Sequence, residues 1–135
     1  MSHAPTPRSL LHTALRLDAL ASAAMGALLA AAGGALAAPF GLPELLLREA
    51  GIGLLPYAAW VWRLGTRPVV GRRAATAVIV VNLAWAVASV ALLVGAPVTP
   101  TALGTAFVLL QAAVVFAFAE AQWMGLRRTA HAALA

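Results

Sequence analysis

Residues 74–95 read AATAVIVVNLAWAVASVALLVG, twenty-two positions without one charged side chain. A helix rises 1.5 Å per residue, so this run makes a rod of roughly 33 Å, long enough for the ~30 Å hydrocarbon core of a bilayer. Three further apolar stretches lie at about 17–38, 44–62 and 101–123. Between and around them stand the nine basic residues, all arginine. Arg8 and Arg16 precede the first stretch, Arg63, Arg67, Arg72 and Arg73 lie between the second and third, and Arg127 and Arg128 follow the fourth. Only Arg48 falls on the other side of this count, beside Glu44 and Glu49. Cationic segments stay cytoplasmic, so the pattern predicts four crossings with both termini inside.

Composition agrees. Hydrophobic residues make up 63% of the 135 positions and charged ones 10%, against roughly 45–50% and 25% in soluble domains. That leaves room for one domain and little outside a membrane. The net charge of +5 does not point to nucleic acid, because the arginines gather at span ends where anionic headgroups lie. The chain has no cysteine, which excludes disulfides and thiolate metal sites. Abundant alanine and leucine with no lysine suit a GC-rich bacterial genome. Arg8, Arg16 and the Ala35-Leu36-Ala37 triplet resemble a signal peptide, but the run from Leu17 to Ala38 exceeds the usual 7–15 residue core of one. It is taken as a span.

Turn chemistry sets the boundaries. Residues 1–9, with Pro5 and Pro7, are expected to be a loose cytoplasmic tail. Helices are predicted at about 10–38, 43–64, 72–94 and 100–128, with 129–135 a second tail. Pro39, Gly41 and Pro43 form the first turn, with Pro43 opening helix two. Pro56 inside helix two leaves the carbonyl of Ile52 free and predicts a bend. Gly95, Ala96 and Pro97 end helix three, and Thr99-Pro100 reads as a cap and first-turn proline for helix four. Short connections predict an all-α, up-down antiparallel four-helix bundle.

Few residues could carry chemistry. Asp18 lies in helix one on a stripe continued by Ser22, Gly26, Ala30 and Gly34, small residues that let another helix approach. An acidic group there faces the bundle and marks a proton or ion path; the simpler reading is a headgroup-level pairing with Arg16, Arg63 or Arg73. Glu120, at similar depth on helix four, could share Arg63 with Asp18. Asn82, Trp85 and Ser89 occupy one face of helix three, and Gln111 stands at comparable depth on helix four, so an Asn82–Gln111 amide pair is expected. Gln122 shares Gln111's face, whereas Glu120 points nearly opposite. Tyr57, Trp60, Trp62 and Trp123 read as the aromatic belt. Trp85, deeper, is a packing residue or the wall of a binding site. His3, His12 and His131 lie outside the four stretches, so no haem or metal centre is expected.

The patterns Leu15-Arg16-Leu17-Asp18-Ala19, Asn82-Leu83-Ala84-Trp85 with Ser89, and Ala119-Glu120-Ala121-Gln122 ahead of Gly125-Leu126-Arg127-Arg128 resemble a group of small four-span bacterial inner-membrane proteins. The size and hairpin plan are also similar to those of DoxX-like proteins. The resemblance implies four helices and an inner-membrane location, and brings no activity. Small multidrug exporters share the plan but place a glutamate deep in the first span, where this chain has only Asp18. The leading functional expectation is an accessory or homo-oligomeric membrane component, with lipid and other membrane subunits as partners, no cofactor and no catalysis. The alternative is a small proton-coupled transporter built on Asp18, Glu120, Asn82 and Gln111.

Overall fold

The computed structural model describes residues 9–135; apart from Ser9, the expected N-terminal tail lies outside them. The protein is all-α. Its helices are α1 (Leu10–Phe40), α2 (Glu44–Thr66), α3 (Arg72–Gly95) and α4 (Ala102–Leu134).

The differences from the predicted boundaries have local causes. α1 runs two residues past Ala38 with Pro39 inside its last turn, where the ring leaves the carbonyl of Ala35 without its usual helical donor but does not end the helix. Gly41 then stops it in the left-handed region, φ 62°. There the N–H of Gly41 donates to Ala38 O and that of Leu42 to Ala37 O, both at 3.2 Å, the reciprocal pair that closes a helix end. Pro43 caps α2 from outside instead of opening it, and α2 continues unbroken through Pro56. The cap of α4 is Thr101, not Thr99: its hydroxyl accepts from Gly104 N at 3.0 Å and donates to Pro39 O at 2.6 Å. Its own N–H donates to Phe40 O at 3.0 Å, so the start of α4 is stitched to the end of α1. A helix holds 129–134 in place of the expected tail, exposed throughout.

α1 is the central element, packed along α2 and against α4; α3 packs on α4, and α2 and α3 scarcely touch. Glycine makes the close approaches possible. A Cβ on Gly51 would lie 2.4 Å from Ala30 N and 2.7 Å from Gly26 O, and one on Gly34 would meet the Glu44 carboxylate. The small-residue stripe of α1 is thus occupied by the chain's own α2. Two apolar clusters hold the bundle. Leu11, Leu15, Val61, Leu64 and Val78 form one, and Leu29, Phe40, Leu42, Leu47 and Val108 the other.

The large aliphatic residues otherwise point outward: Val87, Val94 and Leu110 are 69%, 82% and 68% exposed, while Asp18 and Gln122 are buried. A water-soluble domain buries most of its large apolar side chains, and this surface leaves many of them exposed while the centre of the bundle holds polar groups. α1, α3 and α4 are long and apolar enough to cross a membrane, as expected of a membrane protein. α2 does not reach that hydropathy. Glu44, Arg48 and Glu49 open it, and Gly51, Gly53, Pro56, Tyr57, Trp60 and Trp62 dilute its aliphatic run.

Candidate functional site: a buried carboxylate beside an apolar chamber

Asp18 is 1% exposed, and side chains from all four helices meet at its carboxylate. Ser22 Oγ, one turn along α1, donates to Oδ1 at 3.1 Å. Asn82 Nδ2 of α3 and Gln122 Nε2 of α4 donate to Oδ2 at 2.8 and 2.7 Å. The Tyr57 hydroxyl of α2 lies 3.0 Å from the same oxygen. A second layer ties the donors together: Asn82 Nδ2 also donates to Gln122 Oε1 at 3.1 Å, and Tyr57 Oη is 2.8 Å from Asn82 Oδ1. Tyr57 has one proton for two acceptors, so at any instant either Asp18 or Asn82 goes without it.

Desolvating a carboxylate costs several kcal/mol unless hydrogen bonds or a counter-charge offset it. Here hydrogen bonds do so alone. Among the described residues the one salt bridge is Arg48–Glu44, at 2.7 Å on the surface, and every buried side-chain nitrogen and oxygen has a partner. The expected arginine partners are engaged elsewhere or exposed. Arg16 Nε donates to Gly65 O at 2.8 Å and helps to close the end of α2. Arg63 and Arg73 are exposed.

Two further expectations are corrected. Glu120 does not join Asp18 or Arg63; it is exposed on the outer face of α4, while Gln122, two positions on, is fully buried. Residues two apart on a helix lie about 200° apart, so one pointing inward sends the other out. Asn82 and Gln111 do not pair either. Gln111 Oε1 accepts from Trp85 Nε1 at 2.9 Å, and its Nε2 donates to Ser89 Oγ at 2.8 Å. The packing of α3 on α4 sets Asn82 level with Gln122 and sets Trp85 and Ser89 level with Gln111, dividing the polar residues into two separate groups.

Sequence reading passed over Tyr57 and Gln122 as site residues, though a signal existed for each. Tyr57, Val61 and Leu64 recur at helical spacing on the inner face of α2. Gln122 lies between Ala119 and Gly125, the small buried residues of α4.

Beside the carboxylate lies an apolar chamber in two lobes. One, about 190 Å³, is lined by Asp18, Ser22, Met25, Phe107, Leu110 and Val114 among others. The second, about 220 Å³, runs between α2 and α3, where those helices scarcely touch. Met25, Leu54, Trp85, Phe107 and Gln111 border both lobes. Trp85 and Gln111 thus form a hydrogen-bonded waist, and Phe107, stacked on Phe40 at 4.6 Å, walls both lobes. Exposed Ala21, Leu110 and Val114 rim the first lobe, which opens on the flank between α1 and α4. Among the described residues no group of three or more metal-ligating side chains comes together.

Comparison with protein-family models, with curated proteins and with solved structures returned no match.

Proposed function

We propose that this chain is a multi-pass protein of the bacterial inner membrane, an up-down antiparallel four-helix bundle with both termini cytoplasmic, that works as a small proton-coupled carrier. The arginine distribution supports the orientation, and the short connections support the alternation of the helices. One observation carries the functional reading: Asp18 is buried without a cationic partner, and it borders a chamber large enough for a small apolar solute.

The hydrogen-bond network supports proton coupling. A proton placed on Asp18 Oδ2 would donate to Tyr57 Oη across the existing 3.0 Å, while Tyr57 donates to Asn82 Oδ1 across 2.8 Å. Both contacts are then satisfied and no heavy atom has to move. Loading and unloading a proton therefore needs only a turn of the tyrosine hydroxyl. The roles follow from position. Asp18 holds the proton, Tyr57 relays between the two states, Asn82 and Gln122 orient the carboxylate, and Trp85 and Gln111 border the solute. No catalytic step, cofactor or nucleic acid enters this reading.

The test is reconstitution in liposomes containing a pH-sensitive dye, with candidate apolar solutes added outside. The wild type should move protons when solute is added, and Asp18→Asn should not. A wild type that moves neither protons nor solute would overturn the carrier.

A second reading, an accessory or self-associating component, is favoured by a shallow groove on the outer face of α1 and α2. Ala19, Ala23, Ala58 and Ala59 floor it between Leu20, Leu55 and Trp62, and small residues of this kind let a neighbouring helix approach in lipid. Native mass in a mild detergent distinguishes a homo-oligomer, a complex with foreign subunits and a monomer.

A further inference from the structure

The two oxygens of Asp18 are not equivalent. Oδ2 faces three donors, from Tyr57, Asn82 and Gln122. Oδ1 accepts a single bond, from Ser22. A carboxylate oxygen can take about two, so Oδ1 keeps acceptor capacity to spare. Asp18 and Ser22 are also the two polar residues at the near end of the first lobe. The residue that bonds Oδ1 is thus itself part of the chamber lining, whereas the three donors to Oδ2 are not.

The remainder of that lobe is hydrocarbon: Met25, Leu54, Leu110, Val114 and the ring of Phe107. The Trp85 indole stands at its far end, held by Gln111 at 2.9 Å. An anion without a cationic partner, an apolar wall and an indole face together describe the complement of one ligand chemistry. The cation supplies the charge and N–H donors for Oδ1, and its hydrocarbon or aromatic part fills the lobe against Phe107 and the indole. Neutral and anionic solutes of the same shape lack the first of these gains. The lobe's rim on the α1–α4 flank suits a solute that arrives dissolved in lipid.

We propose that the chamber takes a lipophilic protonated amine, its ammonium group donating to Asp18 Oδ1. This rests on the carrier reading above and names its substrate class. One carboxylate charge can be neutralised once, so an ammonium at Oδ1 and a proton on Oδ2 exclude each other, and the amine enters as the proton leaves.

The experiment is equilibrium binding of tritiated tryptamine and of its neutral isostere tryptophol to the full chain in phosphatidylcholine nanodiscs, with empty nanodiscs subtracted. The wild type should bind tryptamine about tenfold or more tighter than tryptophol, the margin of one charge-assisted hydrogen bond. Asp18→Asn should bind the two alike. Met25→Trp, which fills the lobe without touching the Oδ2 network, should bind neither. Equal binding of the two probes by the wild type would overturn the amine assignment and leave the chamber standing. Binding of neither would overturn both. A preference for tryptamine that survives in Asp18→Asn would also overturn the assignment.

Discussion

Gln122 Nε2 lies 2.7 Å from Asp18 Oδ2 across 104 positions of sequence, the shortest contact in the polar centre of the bundle. It joins the second half of α4 to the first half of α1, and both side chains are almost wholly buried. The consequences of this network can be separated by substitution.

Asp18→Asn should be tolerated and Asp18→Ala should not. In Asp18→Asn the amide oxygen can take the place of Oδ2 and keep accepting from Asn82 and Gln122, while the amide nitrogen faces Ser22 Oγ, which can accept. Its stability should stay within about 1 kcal/mol of wild type. Alanine strands buried donors of Asn82 and Gln122, while Tyr57 can still donate to Asn82 Oδ1, and should cost about 3 kcal/mol or more. Thermal unfolding in one detergent, followed by circular dichroism, compares them. Equal losses for the two variants would contradict the assigned donor pattern.

Gln122→Leu and Glu120→Gln should diverge, although both positions were visible in sequence as polar groups in an apolar helix. The first removes two buried hydrogen bonds and should lower stability by about 2 kcal/mol. The second alters an exposed group and should change the melting temperature negligibly.

Tyr57→Phe keeps the ring and removes the hydroxyl that stands between Asp18 and Asn82. The loss should be about 1–2 kcal/mol, because Asn82 Oδ1 is left without its donor. A double-mutant cycle with Asn82→Leu should show strong coupling between the two positions, and additive losses would place the hydroxyl outside the network.

Gly104→Ala should be far more damaging than Gly53→Ala. A Cβ at Gly104 would lie 1.9 Å from Phe40 O, a backbone atom that cannot move without parting α1 from α4. That overpacking should cost about 2 kcal/mol or more. At Gly53 no atom lies within 4 Å of the new carbon, and alanine's better helix propensity should be neutral to favourable by up to about 1 kcal/mol. Yield and melting temperature of the purified variants check both.

The number and rough extent of the helices were legible in the sequence. Gly41 stops α1 in the left-handed region, Pro43, Pro68 and Pro97 fall between helices, and uncharged runs as long as 74–95 have few other uses. The inward aspect of Asp18 was also foreshadowed by the small residues that follow it at four-residue spacing. Local information ran out at α2. Its length suited a span, yet its charges, glycines and aromatic residues left it less apolar than its neighbours.

What the sequence by itself determined is therefore what depends on neighbours along the chain: where helices start and stop, which segments are too apolar for water, and where positive charge collects. Tertiary structure alone decided who meets whom. The register of α3 on α4 sent Asn82 to Gln122 and Asp18 and sent Gln111 to Trp85, where sequence depth had paired Asn82 with Gln111. The rotation of α4 turned Gln122 inward and Glu120 outward. The sparse contact between α2 and α3 opened the chamber beside the carboxylate. Each outcome depends on how rigid helices rotate and slide until backbone meets glycine and each buried polar atom finds a partner. That fit belongs to the whole bundle and cannot be assigned to any one segment of the chain.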